Sequence, residues 1–137
     1  MTAFAAPDRR TLLGFDYGTR RVGVAVGQTV TGSASPLAVL KAPKSPEFWQ
    51  QLDRLMREWR PDGLVVGLPL LADGSAGAIA HAAEAFADEL TTRYGLSVVR
   101  VDERLTSWEA DRVARDVPES RRDAVAASLI LMTYLEG

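Results

Sequence analysis

The chain has 137 residues, 47% of them hydrophobic and 25% charged, with a formal net charge of −2. That size fits one domain with a single sizeable core, and the near-neutral balance argues against a protein that coats nucleic acid indiscriminately, though not against one with a local basic patch. The absence of cysteine excludes disulfides, thiolate metal sites and cysteine nucleophiles, and the lone histidine, His81, argues against zinc sites and a Ser-His-Asp triad, so any metal must be held by oxygen, as magnesium and manganese are.

Residues 1–10 read as a flexible arm ending in Pro7-Asp8-Arg9-Arg10, ahead of one domain over residues 11–137. The arm has neither the apolar stretch nor the cleavage site of an export signal, and no apolar run approaches the roughly 18 to 20 residues of a membrane span. A cytoplasmic protein with no membrane partner is expected.

Thr11 to Tyr17 and Val22 to Val26 are compact apolar runs joined by Gly18-Thr19-Arg20-Arg21, the pattern of an antiparallel hairpin. Leu12 and Gly14 share a face with Asp16, and Leu13 and Phe15 take the other, so the first strand should lie inside a sheet covered on both sides. A third strand is expected from Ser33 to Leu40. Ser45-Pro46-Glu47 then opens a helix with a capping serine, a proline in the first turn and an early acid. Phe48, Leu52, Leu55, Met56 and Trp59 keep helical spacing until Arg60-Pro61 ends it.

Leu64 to Leu68 reads as a buried strand. Ile79, Ala82, Ala83, Phe86 and Leu90 mark a second helix closed by Gly95. Ser97 to Val101 is a fifth strand, and Thr106-Ser107-Trp108-Glu109 is a capping-box pattern that opens a third helix. A last helix runs from beyond Pro118 to about Leu135, with Asp123, Ala126, Ala127, Ile130, Leu131 and Tyr134 on one face. Three antiparallel strands followed by alternating helices and strands predict an α/β fold, a mixed five-stranded sheet with helices on both faces.

Acids stand at three places where chemistry would be expected. Asp16, at the end of a covered strand between Phe15 and Tyr17, is costly to desolvate without a cation or donors. Gly18 behind it leaves room for a ligand, although Asp16 could equally accept hydrogen bonds from the hairpin turn. Asp102 and Glu103 follow the fifth strand, and ligand sites gather at the carboxyl ends of strands; the bland reading pairs them with Arg100 and Arg104. Asp123 lies in line with the packing face of the last helix, where the helix end or a shared metal could balance it. Carboxylates converging at one sheet edge repel one another until divalent cations relieve them, and such clusters suit phosphodiester hydrolysis.

Gly67-Leu68-Pro69 with Asp73-Gly74-Ser75 is read as a connection that needs glycine for its turn and Ser75 for a cap, with Asp73 a more distant candidate ligand. Arg20, Arg21, Arg104, Arg121 and Arg122 lie nearest the acids and are candidates for holding phosphate. Trp49 and Trp59 belong to core packing, and His81 to a helix surface.

Taken in order, these segments resemble the YqgF/RuvX family, described as Holliday junction resolvases or pre-16S rRNA nucleases. The matching pieces are Phe15-Asp16-Tyr17-Gly18-Thr19-Arg20-Arg21-Val22-Gly23 continuing through Gly27, Val66-Gly67-Leu68-Pro69, Asp73-Gly74-Ser75, Asp102-Glu103-Arg104-Leu105-Thr106 and Asp123-Ala124-Val125-Ala126-Ala127. They span Leu12 to Leu135. The resemblance implies a ribonuclease H-like fold, Mg²⁺ or Mn²⁺ as cofactor, a bacterial cytoplasmic enzyme, and Asp16, Glu103 and Asp123 as active-site acids, with Asp102 and Asp73 as further candidate ligands. It implies RNA or branched DNA as partner, and junction cutting would favour a homodimer. Two departures stand out: the compact Pro118-Glu119-Ser120-Arg121-Arg122 before the last acid, and Leu71-Ala72 where Asn-Met is commoner. Two other readings compete with a nuclease. One is a nucleic-acid or ribosome-associated binding protein whose acids no longer catalyse. The other is an actin-like ATP-binding module suggested by Asp16-Tyr17-Gly18-Thr19.

Overall fold

A computed structural model of the chain describes residues 9–105 and 118–136. The helix expected to open at Thr106 to Glu109, Trp108 within it, and most of the N-terminal arm lie outside the described residues.

Strands β1 (Thr11–Tyr17), β2 (Val22–Gln28) and β3 (Ser33–Leu40) precede helix α1 (Pro46–Trp59). Strand β4 (Gly63–Leu68), helix α2 (Ala78–Tyr94), strand β5 (Val98–Asp102) and helix α3 (Arg122–Glu136) follow. The sheet order is β3-β2-β1-β4-β5. β1 pairs antiparallel with β2 and parallel with β4, β2 is antiparallel to β3, and β4 is parallel to β5. This is the mixed five-stranded sheet expected. Relative to the sequence reading, β2 runs two residues further, to Gln28, and β5 is shifted one residue on, to include Asp102. Arg10 extends the hairpin: its carbonyl accepts from Thr29 N at 3.1 Å and its own N–H donates to Thr29 Oγ1 at 2.9 Å.

Side-chain alternation divides the core into two layers. Leu13, Phe15, Val22, Val24, Leu64 and Val66 meet Phe48 and Leu52 of α1 and Ala83, Phe86, Ala87 and Leu90 of α2. The Phe86 ring stands edge-on to Phe15 and Phe48, with centroids 5.7 and 5.8 Å away. Trp49 and Trp59 pack against this layer, as expected, and His81 is exposed. Fully burying each such aliphatic or aromatic side chain contributes about 1.5–3 kcal/mol.

On the other face, Leu12, Ala25, Val65 and Val101 pack against Ala127, Ile130 and Leu131 of α3. The buried arc of α3, Ala124, Val125, Ala127, Ser128, Ile130 and Leu131, is wider than the predicted stripe because the helix lies against β1, β2 and β3 together. α3 also sits very close to the sheet. A Cβ on Gly23 would fall 1.8 Å from the Asp123 carbonyl oxygen, so only glycine lets the helix start rest on β2.

The helix ends are read as local chemistry dictates. Ser45 Oγ accepts from Glu47 N at 3.3 Å, Pro46 takes the first turn, and Arg60 ends α1 in the left-handed region at φ 45°. α2 closes on Gly95 at φ 65°. Its start departs from expectation: Gly77 precedes the helix with no side-chain cap, and Ser75 binds Asp73 instead.

Candidate active site

The parallel strands β1, β4 and β5 end along one edge, and their pairing sets which side chains meet there. Phe15 is opposite Val66 and Gly67 opposite Val101, so Asp16, Gly67 and the residue following Asp102 come together on the α3 face. Glu103 opens a 3-10 turn of Glu103–Leu105 directly after the strand end, and its side chain reaches Asp16.

Asp16 and Glu103 are joined by a side-chain hydrogen bond. Burial, then this bond, then the negative charges of Glu103 and Asp123, push the Asp16 carboxyl up to about 9. Two partly buried carboxyl groups in contact cannot both ionise readily, so Asp16 keeps its proton at neutral pH. Asp123 stands in the first turn of α3, where a negative charge is favoured. Its Oδ2 accepts a hydrogen bond from Arg21 Nε at 2.7 Å. The partner of this half-buried acid is therefore an arginine of the β1–β2 turn.

Asp102, one residue before Glu103, faces a different neighbour. Arg104 donates to it through Nε at 3.0 and 3.1 Å, Nη2 at 2.7 Å and its backbone N–H at 2.9 Å. These bonds hold the Asp102 carboxyl below the usual range. The two adjacent acids therefore have different neighbours: Glu103 meets Asp16, and Asp102 meets Arg104. Arg104 also donates through Nη1 to the carbonyls of Ala72 at 3.3 Å and Leu71 at 3.5 Å, pinning the connection after β4 to the end of β5. Asp73 in that connection is exposed and accepts from Ser75 N at 2.9 Å and Ser75 Oγ at 2.6 Å. Those bonds, with Arg104 nearby, lower its carboxyl. Arg100 binds Glu84 and Asp88, each at 2.7 Å, on the α2 side.

Among the candidate phosphate holders, Arg20, Arg121 and Arg122 are exposed, with Arg121 and Arg122 directly ahead of Asp123. Arg21 and Arg104 are engaged as described. Gly18 does not leave ligand space: a Cβ there would lie 2.7 Å from the Arg21 carbonyl oxygen, so the glycine serves the turn.

Gly67 has a role that the sequence reading missed. It lies within β4, not in the turn, and a Cβ there would fall 2.5 Å from Ile130 Cδ1, 2.8 Å from Glu103 Cγ and 2.9 Å from Glu103 Oε1. An isolated glycine inside a buried strand signals close approach by a neighbour, but the neighbours, Glu103 and Ile130, are distant in sequence.

The donor set is all oxygen, and the mutual repulsion recorded in Asp16 is what a hard divalent cation relieves. Asp16 and Glu103 fit such an ion as they stand. Among the described residues no three acids are gathered tightly enough to share one, and the Asp123 carboxylate is engaged by Arg21.

The RuvX family profile, described as Holliday junction resolvase, matches residues 10–137. A protein of Azotobacter vinelandii, provisionally named pre-16S rRNA nuclease, is 49% identical over 132 residues, covering 92% of this chain and 93% of its own. A Pseudomonas putida protein with the same provisional name is 46% identical over 137 residues, covering 95% and 97%. Among solved structures, Thermus thermophilus RuvC in complex with a Holliday junction substrate superposes with a TM-score of 0.61 at 17% identity, over 91% of this chain and 93% of that one. The fowlpox virus Holliday junction resolvase superposes with a TM-score of 0.57 at 12% identity, over 92% and 98%. The fold is thus that of the ribonuclease H-like resolvases, and the chain belongs to the RuvX family of nucleases, enzymes that hydrolyse phosphodiester bonds in nucleic acid with the help of a divalent metal.

Proposed function

We propose that Asp16, Glu103 and Asp123 form one divalent-cation site that takes Mg²⁺ or Mn²⁺, and that the substrate is the 5′ region of a pre-16S rRNA. The observation that carries the site is the contact between Asp16 and Glu103 at the carboxyl edge of the sheet, where burial and neighbouring carboxylates hold the Asp16 carboxyl up and a cation would serve both acids. When bound, a divalent ion there supplies Lewis acidity toward a water and a phosphate oxygen. The chain's own part is to hold the carboxylates in place from β1, the turn after β5 and α3, and to offer Arg20, Arg121 and Arg122 to the flanking phosphates. The RNA substrate is preferred because the relatives named for it share close to half their residues with this chain, whereas the likeness to junction-bound RuvC is one of fold. The reading places the enzyme in the cytoplasm, where rRNA precursors are trimmed.

The test is cleavage of a pre-16S rRNA fragment beside a four-way DNA junction, each with Mg²⁺, Mn²⁺ or EDTA. Site-specific cleavage of the RNA, dependent on the cation, is expected. Cutting confined to the junction would move the substrate to branched DNA and call for a homodimer, since two symmetric strands must be cut. Binding of either substrate without cleavage at any cation concentration would favour a silent binding protein. The ATP-binding alternative needs a nucleotide cleft between two duplicated halves, and the described residues build one sheet.

A further inference from the structure

Arg21 and Asp123 are 102 positions apart in sequence, yet the backbone brings them together. β2 begins at Val22 directly after Arg21, and the start of α3 rests on Gly23 with no room for a side chain between. The anchor is fixed while the contact itself is open to water, with the Arg21 side chain 53% exposed and that of Asp123 28% exposed. An ion pair so exposed is weak, and another anion can displace it. Guanidinium groups bind phosphate oxygens through a planar fork at least as well as they bind carboxylate.

We propose that Arg21 is a placeholder at the metal site: in the free enzyme its guanidinium occupies Asp123, and a substrate phosphate draws it away and releases that carboxylate to the cation. Arg21 is then a positioning residue that makes cation and nucleic acid bind cooperatively. Such coupling is reciprocal, each ligand raising affinity for the other by one factor. The inference rests on the assignment of Asp16, Glu103 and Asp123 as ligands.

The test is Mn²⁺ binding, followed by electron paramagnetic resonance of free Mn²⁺, in wild type, Arg21→Gln, Arg21→Lys and Asp16→Asn. Each protein is titrated alone and with a hydrolysis-resistant phosphorothioate RNA oligonucleotide. Without RNA, Arg21→Gln should bind Mn²⁺ up to about fivefold more tightly than wild type, the factor an exposed ion pair of ordinary strength controls. The oligonucleotide should tighten Mn²⁺ binding in wild type and much less in Arg21→Gln, with Arg21→Lys between them. Phosphate charge acting alone would leave the same enhancement in all three, and that result overturns the placeholder role. So does unchanged or weaker Mn²⁺ binding by RNA-free Arg21→Gln. Asp16→Asn separates the two levels: if it weakens Mn²⁺ binding while the Arg21 variants behave as wild type, the metal site stands and the placeholder falls. If Asp16→Asn binds Mn²⁺ like wild type, both fall.

Discussion

Gly67 and Glu103 occupy complementary space: the missing side chain of one makes room for the carboxylate arm of the other, 2.8 Å from where a Cβ would stand. Gly67→Ala should therefore push Glu103 off Asp16 and crowd Ile130 in the core. Overpacking of this kind costs about 1–3 kcal/mol. Melting should fall accordingly, and Mn²⁺ binding should weaken with it. A variant that melts and binds Mn²⁺ like wild type would show that Glu103 does not depend on this space.

Gly23→Ala presents a harder collision, with backbone and not a flexible side-chain end, at 1.8 Å. Either the start of α3 lifts from β2 or the chain fails to fold. Destabilisation in the exceptional range, roughly 4 kcal/mol or more, is expected. Urea denaturation measures it, and a loss within about 1 kcal/mol would mean that the helix start adjusts freely.

Asp16 makes the cation-free protein sensitive to pH. Its carboxyl is raised from 3.8 to about 9, so the folded state holds a proton that the unfolded state releases. The associated stability is complete below the unfolded value and is lost as pH rises through the folded one. In EDTA the melting temperature should decline steadily from about pH 5 to pH 9. Asp16→Asn keeps a neutral donor toward Glu103 and should remove most of that slope, overtaking wild type in stability at alkaline pH. Parallel pH profiles for the two proteins would remove Asp16 as the cause.

Arg104 ties Asp102 to the carbonyls of Leu71 and Ala72, and Asp73 and Gly74 lie beside it. Arg104→Ala should loosen residues 69–77 without unfolding the sheet. Chymotrypsin should then cut near the exposed Leu71 faster than in wild type, while the melting temperature changes little. Equal cleavage rates would show that the connection holds itself through Asp73 and Ser75.

Much of this was legible because strand alternation and strand ends are local properties. Leu12, Gly14 and Asp16 on one face and Leu13 and Phe15 on the other follow from a period of two, and the two core layers obey it. Asp16 and Asp123 are visible as charges on faces that bury apolar groups, and Asp102 and Glu103 as a pair after a strand end. What sequence could not resolve depends on partners distant along the chain. Asp102 and Glu103 are neighbours, and only the pairing of β5 with β4 shows which one turns toward Asp16. Arg21 looked like a phosphate ligand, and its contact with Asp123 appears only when α3 lies against Gly23. Ser75 looked like a cap, but the nearby Asp73 carboxylate captured its N–H and hydroxyl before the helix began.

The most direct measurement is anomalous diffraction from crystals grown with Mn²⁺ and the phosphorothioate RNA. A manganese peak is expected at bonding distance, about 2.0–2.3 Å, from carboxylate oxygens of Asp16, Glu103 and Asp123, with Arg21 on an RNA phosphate. A peak held instead by Asp102 or Asp73, or RNA bound with no manganese near Asp16, would contradict it.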